Sequence, residues 1–232
     1  MARQAAQKIV EADTIGEFRL PAFGGGLPPD RPAGLSQPIV SNARLALLML
    51  IAAEAMFFSG LIGAFIVFRV ASQAWPPPFQ PRLPVGVTAV NTIVLLLSGL
   101  AAHLALKAAR AGKSALLVKR LAVTVALGTV FLLVQGFEWL RLIRYGLKLS
   151  SGVYGATFYT LIGCHGAHVL GAALWLLIVL AQARKSRFSE KNYAGVELAA
   201  MYWTFVVALW PILYGLVYLY LPSSVDSFDA IG

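Results

Sequence analysis

Charge is scarce in this sequence and cysteine is almost absent. Only 12% of the 232 residues are Asp, Glu, Lys or Arg, against 59% apolar, and mean hydropathy is +0.75. A soluble domain needs far more polar surface than that. The single Cys164 excludes an intrachain disulfide. No phosphate-binding Gly-rich loop, nucleophile triad or thiol pair is present. The ~10-residue alternating segments of a membrane β-barrel are missing too. Residues 1–43 lack the apolar core of a cleavable signal peptide and are expected to form an extended arm outside the membrane.

What is present is a set of five long apolar runs: Leu45–Phe68, Val85–Leu106, Leu121–Phe137, Tyr154–Leu180 and Leu198–Leu221. Backbone hydrogen bonds in lipid must be satisfied within the segment, so each run is expected to be a spanning helix. The third run is short, and Glu138 and Trp139 can extend it. The sequence therefore predicts an all-α, polytopic membrane protein: a five-helix domain over 44–221, preceded by the arm 1–43 and followed by a short tail 222–232. Trp75-Pro76-Pro77-Pro78 predicts a stiff connection between the first two helices.

The formal charge of +9 does not point to nucleic acid, because the cations sit in the short connections between apolar runs. The arm with Arg44, the connection 107–120 and the connection 181–196 carry fourteen Lys and Arg, and the other side carries five. By the positive-inside rule the N-terminus is cytoplasmic and the C-terminus outside.

Against this apolar background the buried polar residues stand out. Glu54 is the sole ionisable residue of its run, ten residues past Arg44 and so ~15 Å deep at ~1.5 Å per residue. His165 enters from the opposite face to a similar depth, with His168 three residues on. Glu54 and His165 meet near the midplane if the first and fourth helices are neighbours. The pair then reads either as a proton-linked or lipid-anchoring device or as a structural hydrogen bond. Glu138 is expected at the outer interface in a structural role, and His103 near the headgroups at the other end. Two histidines can share a helix face, but a metal site needs a third ligand and an open position, so no metal or haem is expected on this chain. Small residues recur on the fourth helix at Gly163, Ala167 and Gly171. On the first they recur at Ala46, Ala53 and Gly60. Each stripe suits close helix packing, within the chain or against another subunit. Pro211 is expected to bend the last helix.

Several motifs, in order along the chain, resemble the subunit III family of haem–copper terminal oxidases. They are Glu54-x-x-Phe57-Phe58; Asn91-Thr92 with Leu95-Leu96 and Ser98-Gly99; Gln135-x-x-Glu138-Trp139; Gly152-Val153-Tyr154-Gly155-x-Thr157-Phe158; Gly163-x-His165-Gly166-x-His168-Val169; and Tyr202-Trp203-x-Phe205-Val206 with Trp210 and Tyr214. The resemblance spans residues 44–221 and corresponds to a five-helix form of the family. Thr204 and Val207 stand where relatives usually have His and Asp, Pro211 follows Trp210 in place of Leu, and Ser151 replaces a frequent Asp.

The resemblance implies a subunit without haem or copper, in a bacterial cytoplasmic membrane, within a respiratory complex that reduces O2 to water and pumps protons. It implies direct packing on subunit I, association with subunit II, bound phospholipid, and support of proton and oxygen access. Haem and copper then belong to the partner subunits. Glu54, His165, His168, Glu138, Asn91 and Tyr154 become lipid-contacting or packing residues rather than catalytic ones. A quinol oxidase subunit or a nitric oxide reductase accessory subunit fits the same motifs. From other classes, a small proton-coupled transporter using Glu54 and a membrane haem protein remain alternatives.

Overall fold

The computed structural model describes residues 41–78, 81 and 83–219. Its regular structure there is helical, apart from one isolated bridge between Ser189 and Asn192. Five helices follow in order: α1 (Asn42–Ala71), α2 (Val85–Arg110), α3 (Ser114–Arg144), α4 (Val153–Arg184) and α5 (Ala194–Tyr214), the last continued by a π-helical turn, Gly215–Leu219. All five are long and apolar enough to cross a membrane. Most of the arm and all of the tail lie outside the described residues. Asn42 and Ala43 belong to α1, with Ser41 as its N-cap.

α1, α3 and α4 outrun their apolar runs at both ends, α2 at its C-terminal end and α5 at its N-terminal end. α3 has 31 residues, or ~46 Å, against a hydrocarbon layer of ~30 Å, so the short third run is the middle of a long helix. The surplus turns carry the interfacial charges. Lys107 and Arg110 lie in the last turn of α2, and Arg141 and Arg144 in that of α3, where cations also complement the helix dipole.

α2, α3, α4 and α5 form a ring in which each packs on its two neighbours, and α1 lies outside it against α4 and α5. The ring closes through aromatic residues seated on polar or small partners. Trp203 and Trp210 of α5 are fully buried and donate to α2 hydroxyls: Trp203 Nε1 to Ser98 Oγ at 3.2 Å and Trp210 Nε1 to Thr92 Oγ1 at 2.8 Å. Asn91 Nδ2 donates to the Phe131 carbonyl of α3 at 3.1 Å, and Gln135 Nε2 of α3 donates to the Tyr218 hydroxyl at 3.2 Å. An indole N–H left unpaired in hydrocarbon is costly, so these bonds fix how the helices face one another.

Two glycines allow the closest approaches. A Cβ at Gly128 of α3 would lie 2.7 Å from the Trp203 ring. One at Gly155 would lie 2.2 Å from the Lys148 carbonyl, so the turn into α4 closes only because that position has no side chain. Ser151 completes the same turn, accepting from Lys148 N and donating to the Gly146 carbonyl, both at 2.9 Å. In the connection between α1 and α2, Trp75 packs edge-on against Phe65 and Tyr154, at 5.6 and 4.9 Å between ring centres, under the Arg69 guanidinium.

The stripes expected to mediate packing do not do so within the chain. A Cβ at Gly60, Gly163 or Gly171 would meet nothing within 4 Å, and Ala167 is exposed. The tight seats are elsewhere: Val207 presses on Gly99, the Trp203 and Trp139 rings on Gly128 and Gly166, and the Lys148 carbonyl on Gly155.

Candidate functional site: a polar cluster between α1, α4 and α5

The first and fourth helices are neighbours, which meets the condition on which a contact between their polar residues depended. The histidine that reaches Glu54 is His168, however, not His165. His168 Nε2 lies 3.9 Å from Glu54 Oε1, and Tyr202 of α5 donates its hydroxyl to the same oxygen at 3.0 Å. The expected Glu54–His165 contact is therefore corrected. Three helical residues rotate a side chain by about 300°, so the two imidazoles diverge by about 60° around α4. His168 turns toward α1, while His165 turns into the ring. There His165 is fully buried, stacked on Trp210 at 5.0 Å and edge-on to Phe58 at 6.3 Å, with no hydrogen-bond partner at either nitrogen.

The geometry restricts the protons. His168 Nδ1 lies 2.7 Å from the Cys164 carbonyl. A carbonyl only accepts, so Nδ1 carries hydrogen and Nε2 is the atom presented to Glu54. An isolated charge in hydrocarbon is expensive. At 3.9 Å the His168–Glu54 pair is too long for a direct hydrogen bond, and the hydrogen bond to Glu54 Oε1 comes from Tyr202. Phe58 closes the cluster, edge-on to His168 at 5.1 Å, while Glu54 Oε2 is buried without a partner.

The other residues singled out in the sequence lie apart from this cluster. Glu138 is buried near the end of α3 and pairs with Arg141 at 3.0 Å, a structural contact within one helix. Asn91 and Tyr154 are buried packing residues of the ring and of the α1–α2 connection. His103 is exposed on α2, beside a different groove from the α4 histidines. Among the described residues, no three of His, Cys, Asp and Glu converge on a point that could hold an ion.

Two features escaped the reading of the sequence. Tyr202 stood out only as part of a motif, yet it is the hydrogen-bond donor to Glu54. Glu197, in the first turn of α5, receives both Arg44 of α1 and Arg110 of α2, the latter at 2.8 Å. An acid at a helix N-terminus, with arginines at the same end of two other spans, was the signal available.

The departures from the family pattern have simple surroundings. Thr204 turns its hydroxyl back to the Ala200 carbonyl of its own helix at 2.7 Å. Val207 is buried and packs on α2, its Cγ1 3.1 Å from where a Cβ of Gly99 would stand. A charged side chain there would face Gly99 without that fit.

Fold and cluster together define a polytopic helical membrane protein whose buried polar groups join one helix to another. The comparisons with known proteins make this specific. The family model for cytochrome c oxidase subunit III matches residues 34–222. Cytochrome c oxidase subunit 3 of Synechocystis is 35% identical over 173 residues, covering 74% of this chain and 73% of that protein. The mouse protein of the same name is 33% identical over 192 residues, covering 80% and 72%. The chain belongs to the cytochrome c oxidase subunit III family.

Proposed function

We propose that this chain is the redox-inactive third subunit of a haem–copper oxidase in a bacterial cytoplasmic membrane, a complex that reduces O2 to water and pumps protons. Haem and copper reside in subunits I and II, and this chain packs directly on subunit I. Its N-terminus faces the cytoplasm and its C-terminus the outside. It holds phospholipid and supports proton and oxygen access to the catalytic subunit. The observation that carries this reading is the use made of the family motifs. Glu54, Ser98, Thr92, Gln135, His168, Tyr202, Trp203 and Trp210 each hydrogen-bond or ion-pair another part of the bundle, which is the work of a scaffold. The Glu54–His168–Tyr202 cluster fastens α1 to the ring and serves the durability of the complex rather than its chemistry.

The test is purification in mild detergent with a haem spectrum and identification of partners. The chain is expected to travel with a larger haem-bearing subunit while contributing no Soret band itself. A partner with a dinuclear copper domain identifies cytochrome c as donor; a haem-bearing partner without one identifies quinol. Glu54→Ala is expected to leave the initial rate of oxygen reduction close to wild type and to shorten the number of turnovers before inactivation. Unchanged endurance in repeated turnover assays, or a lost initial rate, contradicts the role assigned to the cluster.

A further inference from the structure

α1 rests on the ring along a line one side chain wide. Its buried residues Leu47, Phe58, Phe65 and Arg69 and the anchor Glu54 follow one another at intervals of seven, four, seven and four residues. Those intervals are about two turns and one turn in alternation, so all five share one edge of the helix. The partners along that edge change from one end to the other. Arg44, near the start, meets Glu197 of α5. Near the midpoint Glu54 meets both Tyr202 of α5 and His168 of α4, and Phe58 lies edge-on to His168. Further on, Phe65 meets Trp75, which packs on Tyr154 of α4. The helix thus crosses from α5 to α4 on a diagonal and is held from both sides near its centre.

Open space remains on either side of that hold, in opposite corners. In the first half of α1 a cavity of about 270 Å³ lies between α1, α2 and α5, lined by Ile51, His103, Leu106, Met201 and Thr204. In the second half one of about 210 Å³ lies between α1 and α4, lined by Leu61, Ala64, Phe68, Ala156, Thr157 and Thr160. The hydroxyls of Thr204 and Thr157 are turned back into their own helices, so they do not pin α1 from these spaces. A rotation about Glu54 and Phe58 that carries the first half of α1 toward α2 carries the second half over α4. One movement therefore closes both spaces.

We propose that α1 is a rocking lever, a rigid helix that pivots on the Glu54–Tyr202–His168 cluster with its two ends moving in opposite directions. Its ends are then coupled across the membrane. A 30-residue helix is ~45 Å long, so ~5° of rotation moves each end by ~2 Å, the size of the helix shifts that switch packed interfaces. The scaffold role given above fixes the centre of α1; the lever adds what its ends do, and it does not depend on which redox partners the chain joins.

The experiment is double electron–electron resonance on the purified complex containing the full chain, with nitroxides attached to keto-bearing residues. One pair, at Leu48 and Lys107, spans the first space; the other, at Val67 and Val153, spans the second. All four positions are exposed. Thr204→Trp fills the first space and Thr160→Trp the second. Each variant is expected to lengthen the mean distance of the far pair as well as the near one, by ~2 Å, because a filled corner holds the lever open at both ends. A displacement confined to the near pair in either variant overturns the proposal. So does the absence of displacement in both pairs. A far-pair distribution that broadens without a shift in its mean marks a loosened helix and overturns it as well. If one variant fails to assemble, the other decides alone.

Discussion

α1 and the ring of α2 to α5 solve the same problem in different ways. Within the 30 residues of α1, only Leu47, Phe58, Phe65 and Arg69 are buried, whereas thirteen of the 32 residues of α4 are. The ring is held by interlocked volume, with indoles on hydroxyls and rings on glycines. α1 is held at a few points along one edge: Arg44 on Glu197, Glu54 between Tyr202 and His168, Phe58 beside the two histidines and Phe65 against Trp75. In water a helix attached by so little buried surface would come away. In a bilayer, apolar side chains lose nothing by facing lipid, so a few polar anchors suffice to place a helix.

That contrast can be broken most forcefully from the ring side. Gly128→Val drives a side chain into the Trp203 ring and is expected to cost on the order of 1–3 kcal/mol, read as a fall in the thermal unfolding midpoint of the detergent-solubilised complex. Gly171→Val, which meets open space, is expected to stay within about 0.5 kcal/mol of wild type. Equal effects would mean that Trp203 does not rest on Gly128.

The two histidines sharpen the comparison further. His168→Phe leaves Glu54 with the Tyr202 hydroxyl but without its ion-pair partner and is expected to cost about 1–3 kcal/mol, with α1 exchanging its amide hydrogens faster. His165→Phe removes an imidazole that has no hydrogen-bond partner and is expected to be near neutral by the same measurement. If the ranking is reversed, the Glu54–His168 contact is wrongly assigned. The smallest effect belongs to the charged end. Glu197→Gln is expected to cost about 1 kcal/mol, since both arginines stay partly hydrated. Hydrogen exchange should quicken in the first turns of α1 and stay unchanged in α3.

The five helices were legible because charge-free runs of that length have few other fates. The depth of Glu54 was legible for the same reason, through the rise per residue from Arg44. Rotation about the helix axis was not. α4 is apolar almost all round, so nothing in its pattern told which of His165 and His168 faces α1. The choice is made by Trp210 and Phe58, whose rings take His165 into the ring. Nor could the glycines be sorted. Gly163 and Gly171 have the spacing of a packing motif, yet a Cβ at either would meet nothing in the described chain, while Gly128 stands alone in sequence and bears a tryptophan. The difference lies in the partner surface, which one helix's sequence does not contain. The outlying position of α1 was hidden because lipid and neighbouring helices ask for the same apolar side chains.

The paired indoles of α5 carry one more consequence. Trp203 and Trp210, two turns apart, are each latched to a hydroxyl of α2, at Ser98 and Thr92. If α5 slid along α2 by a single turn, both N–H groups would lose their acceptors together and Trp203 would leave its perch on Gly128. Piston-like sliding of the last helix is thus barred by a double catch, and any give in this subunit falls to the lightly moored α1.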